Sequence, residues 1–248
     1  KIIANMAVGY DNIDIQAANR FSIKVTNTPD VLTKSTAELT IALIFVMAKR
    51  LQEGNLAIRN NEWGPWHPSW MLGKDLDNSK LGIIGPGKIG REVAKIAKSL
   101  NMQVMYYGKK TKENFPGNFI NLENLLKNAD FISIHLSLNK DTTKFLNMDH
   151  FMMMKNDAVL INTSRGQIIN QSDLENALKK KIIGGAALDV TDPEPLPATS
   201  ELLKMQNVFI SPHLGSATEK TRLAMASLAI KNLIELNAGR KPPNMVNE

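Results

Sequence analysis

The sequence has 248 residues, 43% of them hydrophobic and 22% charged, which suits either one large folded domain or two modest ones and shows no compositional sign of disorder. With no cysteine, a thiol nucleophile, a structural disulfide and any Cys-based metal site are excluded. The formal net charge of +6 comes from Lys and Arg interleaved with Asp and Glu along the chain, which reads as a solvated basic surface, so no nucleic-acid partner is expected.

The opening Lys1-Ile2-Ile3-Ala4-Asn5-Met6 has no initiator Met and no signal-peptide architecture and reads directly as a strand. A chain seldom begins inside a strand, so an N-terminal truncation is expected. Two short β-like pieces, 2–4 and 23–26, flank a polar stretch with Gly9, Asp11 and Asp14, and the segment ends at Pro29. Ser35 and Glu38 have capping-box spacing, predicting a deeply buried helix from there to about Arg50. Its apolar run, Leu39 to Ala48, is broken by Thr40 and too short to span a bilayer, so no membrane association is expected. Residues 60–73 gather Trp63, Trp66 and Trp70 in a turn-rich loop. That much aromatic surface predicts a contact with another subunit.

From Lys80 onward, short apolar runs at 81–84, 104–107, 131–135, 159–162, 186–190 and 208–210 alternate with helical patterns at 90–100, 122–128, 149–154 and 172–181. Ser172 and Glu175 give a second capping-box spacing. Such alternation predicts an α/β fold, a doubly wound parallel sheet of the Rossmann-like kind, with near-continuous apolar strands covered on both faces. A last amphipathic helix, about 219–236, is stopped by Gly239 and Pro242-Pro243.

Gly85-Pro86-Gly87-Lys88-Ile89-Gly90 fits GxGxxG between a predicted strand and a predicted helix. Gly85 would make the tight turn, Gly87 would let backbone approach a pyrophosphate, and Gly90 would pack helix on strand. The amides of Lys88 and Ile89 open the helix and suit an anion, while Pro86 removes one amide and stiffens the loop. About twenty residues on, where an acidic residue would hold the adenosine ribose, stands Tyr107-Gly108-Lys109-Lys110. Two cations there favour a 2′-phosphate, hence NADP(H) over NAD(H); a plain surface lysine pair is the competing reading.

Three motifs follow at predicted strand ends, where ligands of such sheets bind: Thr163-Ser164-Arg165-Gly166, Asp192-Pro193-Glu194-Pro195 and Ser211-Pro212-His213-Leu214-Gly215-Ser216-Ala217-Thr218. Arg165 can grip a carboxylate bidentately and polarise the neighbouring carbonyl. His213 can protonate the carbonyl oxygen as hydride arrives. Glu194, if bonded to His213, would favour the imidazolium. Each residue alone is a weak signal.

Taken in order with Ala7-Val8-Gly9-Tyr10-Asp11, Asn27-Thr28-Pro29-Asp30-Val31-Leu32-Thr33 and Trp66-His67-Pro68-Ser69-Trp70, these motifs make the whole chain resemble the D-isomer-specific 2-hydroxyacid dehydrogenases, and among them the glyoxylate/hydroxypyruvate reductases. The resemblance implies Arg165, Glu194 and His213 as catalytic residues. To Gly85, Gly87, Lys88, Ile89, Gly90, Gly108, Lys109 and Lys110, expected at the cofactor from their positions together with Gly215, it adds Ser137, Thr163 and Asp189, the last bonding the nicotinamide amide. Substrate would meet the amides of Val8 and Gly9, together with Arg165, His213, Ser216 and a Trp70 reaching the neighbouring subunit's active site. A small 2-keto or 2-hydroxy acid as substrate, a homodimer and a cytoplasmic location are the accompanying expectations.

The resemblance also implies about seventy further residues before Lys1 forming most of a flavodoxin-like substrate domain. The expected division is therefore 1–29 as part of that domain, 30–217 as the dinucleotide-binding domain, and 218–248 as a helix returning to the substrate domain, with impaired activity for this chain alone. His67, His135 and His150 read as structural and no metal is expected, since no HExxH or paired spacing occurs. Two other functions fit the same motifs: a co-repressor-type protein that senses the dinucleotide, and an NAD-linked enzyme acting on phosphoglycerate or lactate.

Overall fold

The structure is a computed structural model describing residues 1–247. The chain divides into two compact units, Lys1–Thr36 with Gly215–Glu248, and Ala37–Leu214.

In the first unit, β1 (Ile2–Ala4) and β2 (Lys24–Thr26) pair in parallel, Ile3 opposite Val25, and α1 (Ile15–Arg20) connects them. The sequence pattern does not predict α1, because it is only six residues long and buries only Ala18. Its start is set by Asp14, whose carboxylate accepts the Ala17 amide at 2.8 Å. Helix α8 (Glu219–Asn237), capped by Thr218, packs on β1. The open edge of β2 is filled by the chain's last residues. Val246 donates to the Val25 carbonyl, Asn247 Oδ1 accepts the Val25 amide at 2.7 Å, and Asn247 Nδ2 donates to Ile23 O at 2.9 Å and Asn19 Oδ1 at 2.7 Å.

The second unit is built on seven parallel strands in the order β5-β4-β3-β6-β7-β8-β9. They are β3 (Lys80–Ile84), β4 (Gln103–Tyr107), β5 (Asn118–Phe119), β6 (Phe131–Ile134), β7 (Val159–Asn162), β8 (Gly185–Leu188) and β9 (Val208–Ile210). Period-two alternation sends successive residues to opposite faces. Leu81, Ile83, Val104, Phe131 and Ile161 pack under α2 (Thr33–Ala48) and α4 (Lys88–Ser99). Ile84, Ile132, Ile134, Leu160 and Leu188 pack under α5 (Leu122–Asn128), α6 (Met148–Met153) and α7 (Gln171–Lys179). Being covered on both sides explains why the strands read as apolar runs. The sheet is the predicted doubly wound Rossmann-like one, and its order reverses between β3 and β6, which opens a crevice at their carboxyl ends.

Both capping-box expectations fail. Helix α2 begins at Thr33, which puts Ser35 inside its first turn. Helix α7 begins at Gln171 after Asn170, and Ser172 donates instead to Asn170 Oδ1 at 2.8 Å. Nor is α2 buried all round, because Lys34, Glu38 and Ala42, four residues apart, form an exposed stripe. Arg50, in the left-handed region at φ 52°, ends that run and opens α3 (Leu51–Arg59), which the sequence pattern also does not predict. Among the described residues no helix is long and apolar enough to cross a membrane.

His135, just past β6, shares a 2.8 Å hydrogen bond between Nε2 and the Ser133 hydroxyl. Desolvation of the ring pushes its pKa down to about 3 from an ordinary 6.5. Between those values the unfolded chain holds a proton at this site that the folded chain does not, so stability is complete above about pH 6.5 and falls as pH drops toward 3. The expected contribution to the slope is at most about 1.4 kcal/mol per pH unit. Urea denaturation of wild type and His135→Gln across that range checks it, the variant giving the shallower dependence.

Candidate active site

At the reversal point β3 ends and the chain turns at Gly85, whose φ of +101° and position both require glycine: a Cβ there would lie 2.6 Å from the His135 carbonyl oxygen. A Cβ at Gly90 would lie 2.5 Å from the Gly85 carbonyl oxygen, so the first turn of α4 sits directly against the loop. Gly87 faces open space, with nothing within 4 Å of where its Cβ would be. Lys88 and Ile89 are the first residues of α4, in the turn whose amides point out along the helix axis. An open cradle of glycine backbone at a helix N-terminus fits the pyrophosphate of a dinucleotide.

Pro86 has a second consequence beyond the lost amide. A Cβ on Gly108 would come within 2.7 Å of its ring, so Gly108 admits Pro86 and joins the glycine loop to the end of β4. Lys109 and Lys110 follow on the surface, and Lys109 Nζ lies 3.7 Å from Asp141 Oδ2. Ser137 is exposed in the loop after β6, its carbonyl accepting the Thr142 hydroxyl at 2.7 Å.

The next strand ends carry the charged residues. At the end of β7, buried Asn162 accepts the Ser164 amide and hydroxyl at 3.0 and 2.7 Å and donates to the Arg165 carbonyl at 2.9 Å, shaping the turn from which Arg165 projects. Thr163 Oγ1 lies 2.9 Å from Thr40 Oγ1 on α2. A Cβ on Gly166 would fall 2.0 Å from the Thr191 carbonyl oxygen, so only glycine lets the Arg165 turn meet the segment that leads to Glu194.

After β8, Asp189 is 1% exposed, and its Oδ1 accepts the Ser211 hydroxyl at 2.6 Å and the Leu214 amide at 2.7 Å, while its carbonyl accepts the His213 amide at 2.9 Å. His213 is thereby held in the left-handed region at φ 55°, a conformation that is unusual for a residue other than glycine and clusters at functional sites. Its Nδ1 lies 2.6 Å from Glu194 Oε1, with 47% and 38% of the two side chains exposed. The carboxylate accepts, so the shared proton belongs to Nδ1, and Nε2 is the ring atom left for exchange with a ligand.

Asn162, Thr40 and Ser211 hold this arrangement without standing among the expected site residues. Ser211 lies within one of the strand-end motifs, but its bond to Asp189 joins the ends of two strands whose adjacency no local pattern reveals. Val8, Gly9, Gly215 and Ser216 belong to the first unit. There the Val8 and Gly9 carbonyls accept from the side chains of Asn27 and Asn5, at 2.9 and 2.8 Å, and the Gly215 carbonyl accepts the Thr36 hydroxyl at 2.9 Å. Trp70 lies in the 60–73 loop, 42% exposed, beside Trp63 at 68% and Trp66 at 85%.

A hydrogen-bonded His–Glu pair, an arginine on the adjoining turn and a dinucleotide cradle on one sheet edge can bind a carboxylate, polarise a carbonyl and move a proton. Residues 41–215 match the D-isomer specific 2-hydroxyacid dehydrogenase NAD binding domain. The chain is 45% identical over 256 residues to the glyoxylate reductase of Thermococcus litoralis, covering all of this chain and 77% of that protein. It superposes on a protein from Thermus thermophilus with a TM-score of 0.94 at 44% identity, covering 99% of this chain and 78% of the other. Against the NADPH-dependent glyoxylate/hydroxypyruvate reductase of Sinorhizobium meliloti in complex with NADP and malonate, the TM-score is 0.90 at 30% identity, with 99% and 77% covered. With this fold, this site and these relatives, the chain belongs to the D-isomer-specific 2-hydroxyacid dehydrogenases and is similar to their glyoxylate reductases.

Proposed function

We propose that the chain is an NADPH-dependent reductase of small 2-keto acids, converting glyoxylate to glycolate and hydroxypyruvate to D-glycerate. The observation that carries this reading is the 2.6 Å contact between His213 Nδ1 and Glu194 Oε1 at the sheet edge that bears Arg165. When bound, the reduced nicotinamide supplies hydride to the keto carbon. Arg165 holds the substrate carboxylate and draws charge from the adjacent carbonyl. His213 gives a proton to the carbonyl oxygen, and Glu194 keeps the ring oriented and offsets its charge while it is protonated. By the family resemblance, Val8, Gly9 and Ser216 are assigned to the substrate, and Asp189, Thr163, Ser137 and Gly215 to the cofactor.

Preference for NADPH rests on Lys109 and Lys110, which stand where a ribose-binding carboxylate would otherwise be; a phosphate dianion gains charge-assisted hydrogen bonds from them, and a ribose hydroxyl does not. The exposed Trp63, Trp66, Trp70 and Leu72, with Leu51 and Ile58 on α3, supply the seam of a homodimer, since so many large apolar side chains are costly to leave in water.

His213→Ala should lower kcat for glyoxylate reduction by about 10² to 10⁴ with the Kd for NADPH nearly unchanged, because a general acid acts in the transition state; turnover within a few-fold of wild type would remove His213 from the mechanism. Lys109→Ala should weaken NADPH binding by roughly tenfold and leave NADH binding alone, read by titrating nucleotide fluorescence. Light scattering at micromolar concentration should report twice the chain mass, and a monomer would count against the seam.

A further inference from the structure

The pairing of Lys109 with Asp141 has a place in the sheet that bears on cofactor choice. Lys109 stands two residues beyond β4 and Asp141 seven beyond β6, and these strands flank β3, whose end carries the glycine loop. Two strand spacings put their ends about 10 Å apart. The 3.7 Å contact between Lys109 Nζ and Asp141 Oδ2 therefore crosses the crevice on the side where the adenosine ribose would lie.

Both loops are fixed at their bases. The Tyr106 hydroxyl accepts the Lys112 amide at 2.9 Å, which anchors the lysine loop. Asn139 Oδ1 accepts the Asp141 amide at 2.9 Å, while Thr142 Oγ1 donates to the Ser137 carbonyl at 2.7 Å and accepts the Asn139 amide at 2.8 Å. Asp141 is thus presented by a preformed turn. The two side chains are 90% and 79% exposed, so the pair is weak and a stronger anion can displace its carboxylate.

We propose that Asp141 is a specificity-determining residue for the cofactor: its carboxylate competes with the 2′-phosphate for Lys109, repels that phosphate, and so moderates the NADPH preference that the lysine pair confers. NADH carries an uncharged 2′-hydroxyl and meets neither effect. The pyrophosphate is common to both cofactors and cancels from the ratio of their affinities. The inference rests on the proposed role of Lys109 at the 2′-phosphate.

The test measures Kd for NADPH and for NADH in the wild-type protein, in Asp141→Asn and in Lys109→Ala. Asp141→Asn should tighten NADPH by about two- to fivefold at low ionic strength, with NADH unchanged, and the gain should shrink at about 0.5 M salt. An unchanged NADPH Kd, an equal shift for both cofactors, or a loss confined to NADH would each overturn the proposal, the last by showing that the carboxylate serves the ribose. If Lys109→Ala leaves the NADPH/NADH ratio untouched, the 2′-phosphate assignment fails and takes the inference with it. If Lys109→Ala lowers the preference while Asp141→Asn does not raise it, the inference alone fails. It stands only where both variants move the ratio, in opposite directions.

Discussion

The arrangement of the edge that carries His213 and Glu194 depends on one buried side chain. Asp189 is almost completely removed from water, where a carboxyl group is costly unless its oxygens are satisfied. Its oxygen takes the hydroxyl of Ser211 and the amide of Leu214, and its own carbonyl takes the amide of His213. Three contacts from one residue at the end of β8 thus fix the chain leaving β9. His213 is held in a left-handed backbone that an unrestrained chain would leave, and with that its ring meets Glu194. Desolvation cost and local geometry are therefore coupled: Asp189 needs those donors, and in supplying them the 211–214 segment takes the shape that brings His213 to Glu194.

A second constraint is steric. The Arg165 turn and the segment leading to Glu194 approach until no side-chain atom fits at Gly166. Backbone contact of this closeness leaves little room for relative movement, and Asn162 holds the near side of the turn with three hydrogen bonds. Arginine, glutamate and histidine come from three separate strand ends, yet each is joined to the next by an interaction that tolerates little displacement. The cofactor cradle is assembled in the same way, with Gly85, Gly90 and Gly108 each omitting a Cβ that would collide with neighbouring chain.

Much of this was legible in the sequence, for identifiable reasons. Strands covered on both faces read as apolar runs, and the spacing of Gly85, Gly87 and Gly90 between a strand and a helix carries its own mechanical meaning. The strand ends that carry Arg165, Glu194 and His213 were also legible, and the structure has these residues after β7, β8 and β9. What stayed hidden depends on tertiary neighbours: the Ser211–Asp189 bond, the Thr40–Thr163 contact and the packing of Pro86 on Gly108 unite positions far apart in the chain. The failed capping boxes are instructive too. A Ser/Glu spacing of three is frequent within helices as well as at their starts, and at Ser172 the neighbouring Asn170 took the N-cap position. At six residues, α1 is too short to show the apolar periodicity that would have marked it.

The closing hydrogen bonds of the first unit carry a consequence for how the chain acquires its structure. The amide of Val25 is satisfied by Asn247, 222 residues later, and β1 packs against a helix that begins only at Glu219. Between them lies a sheet whose strands pair with partners close in sequence, apart from the β3–β6 step that marks the crevice. On a ribosome adding roughly 5 to 20 residues per second, Val25 waits on the order of ten to forty seconds for its partner. The seven-stranded unit can form during that interval, whereas the unit that contains Val25 is completed only once residue 247 has emerged. Replacing Asn247 would therefore leave the Val25 amide on β2 without its acceptor after the seven-stranded unit had assembled, so the change should be felt first in the β1-α1-β2 segment.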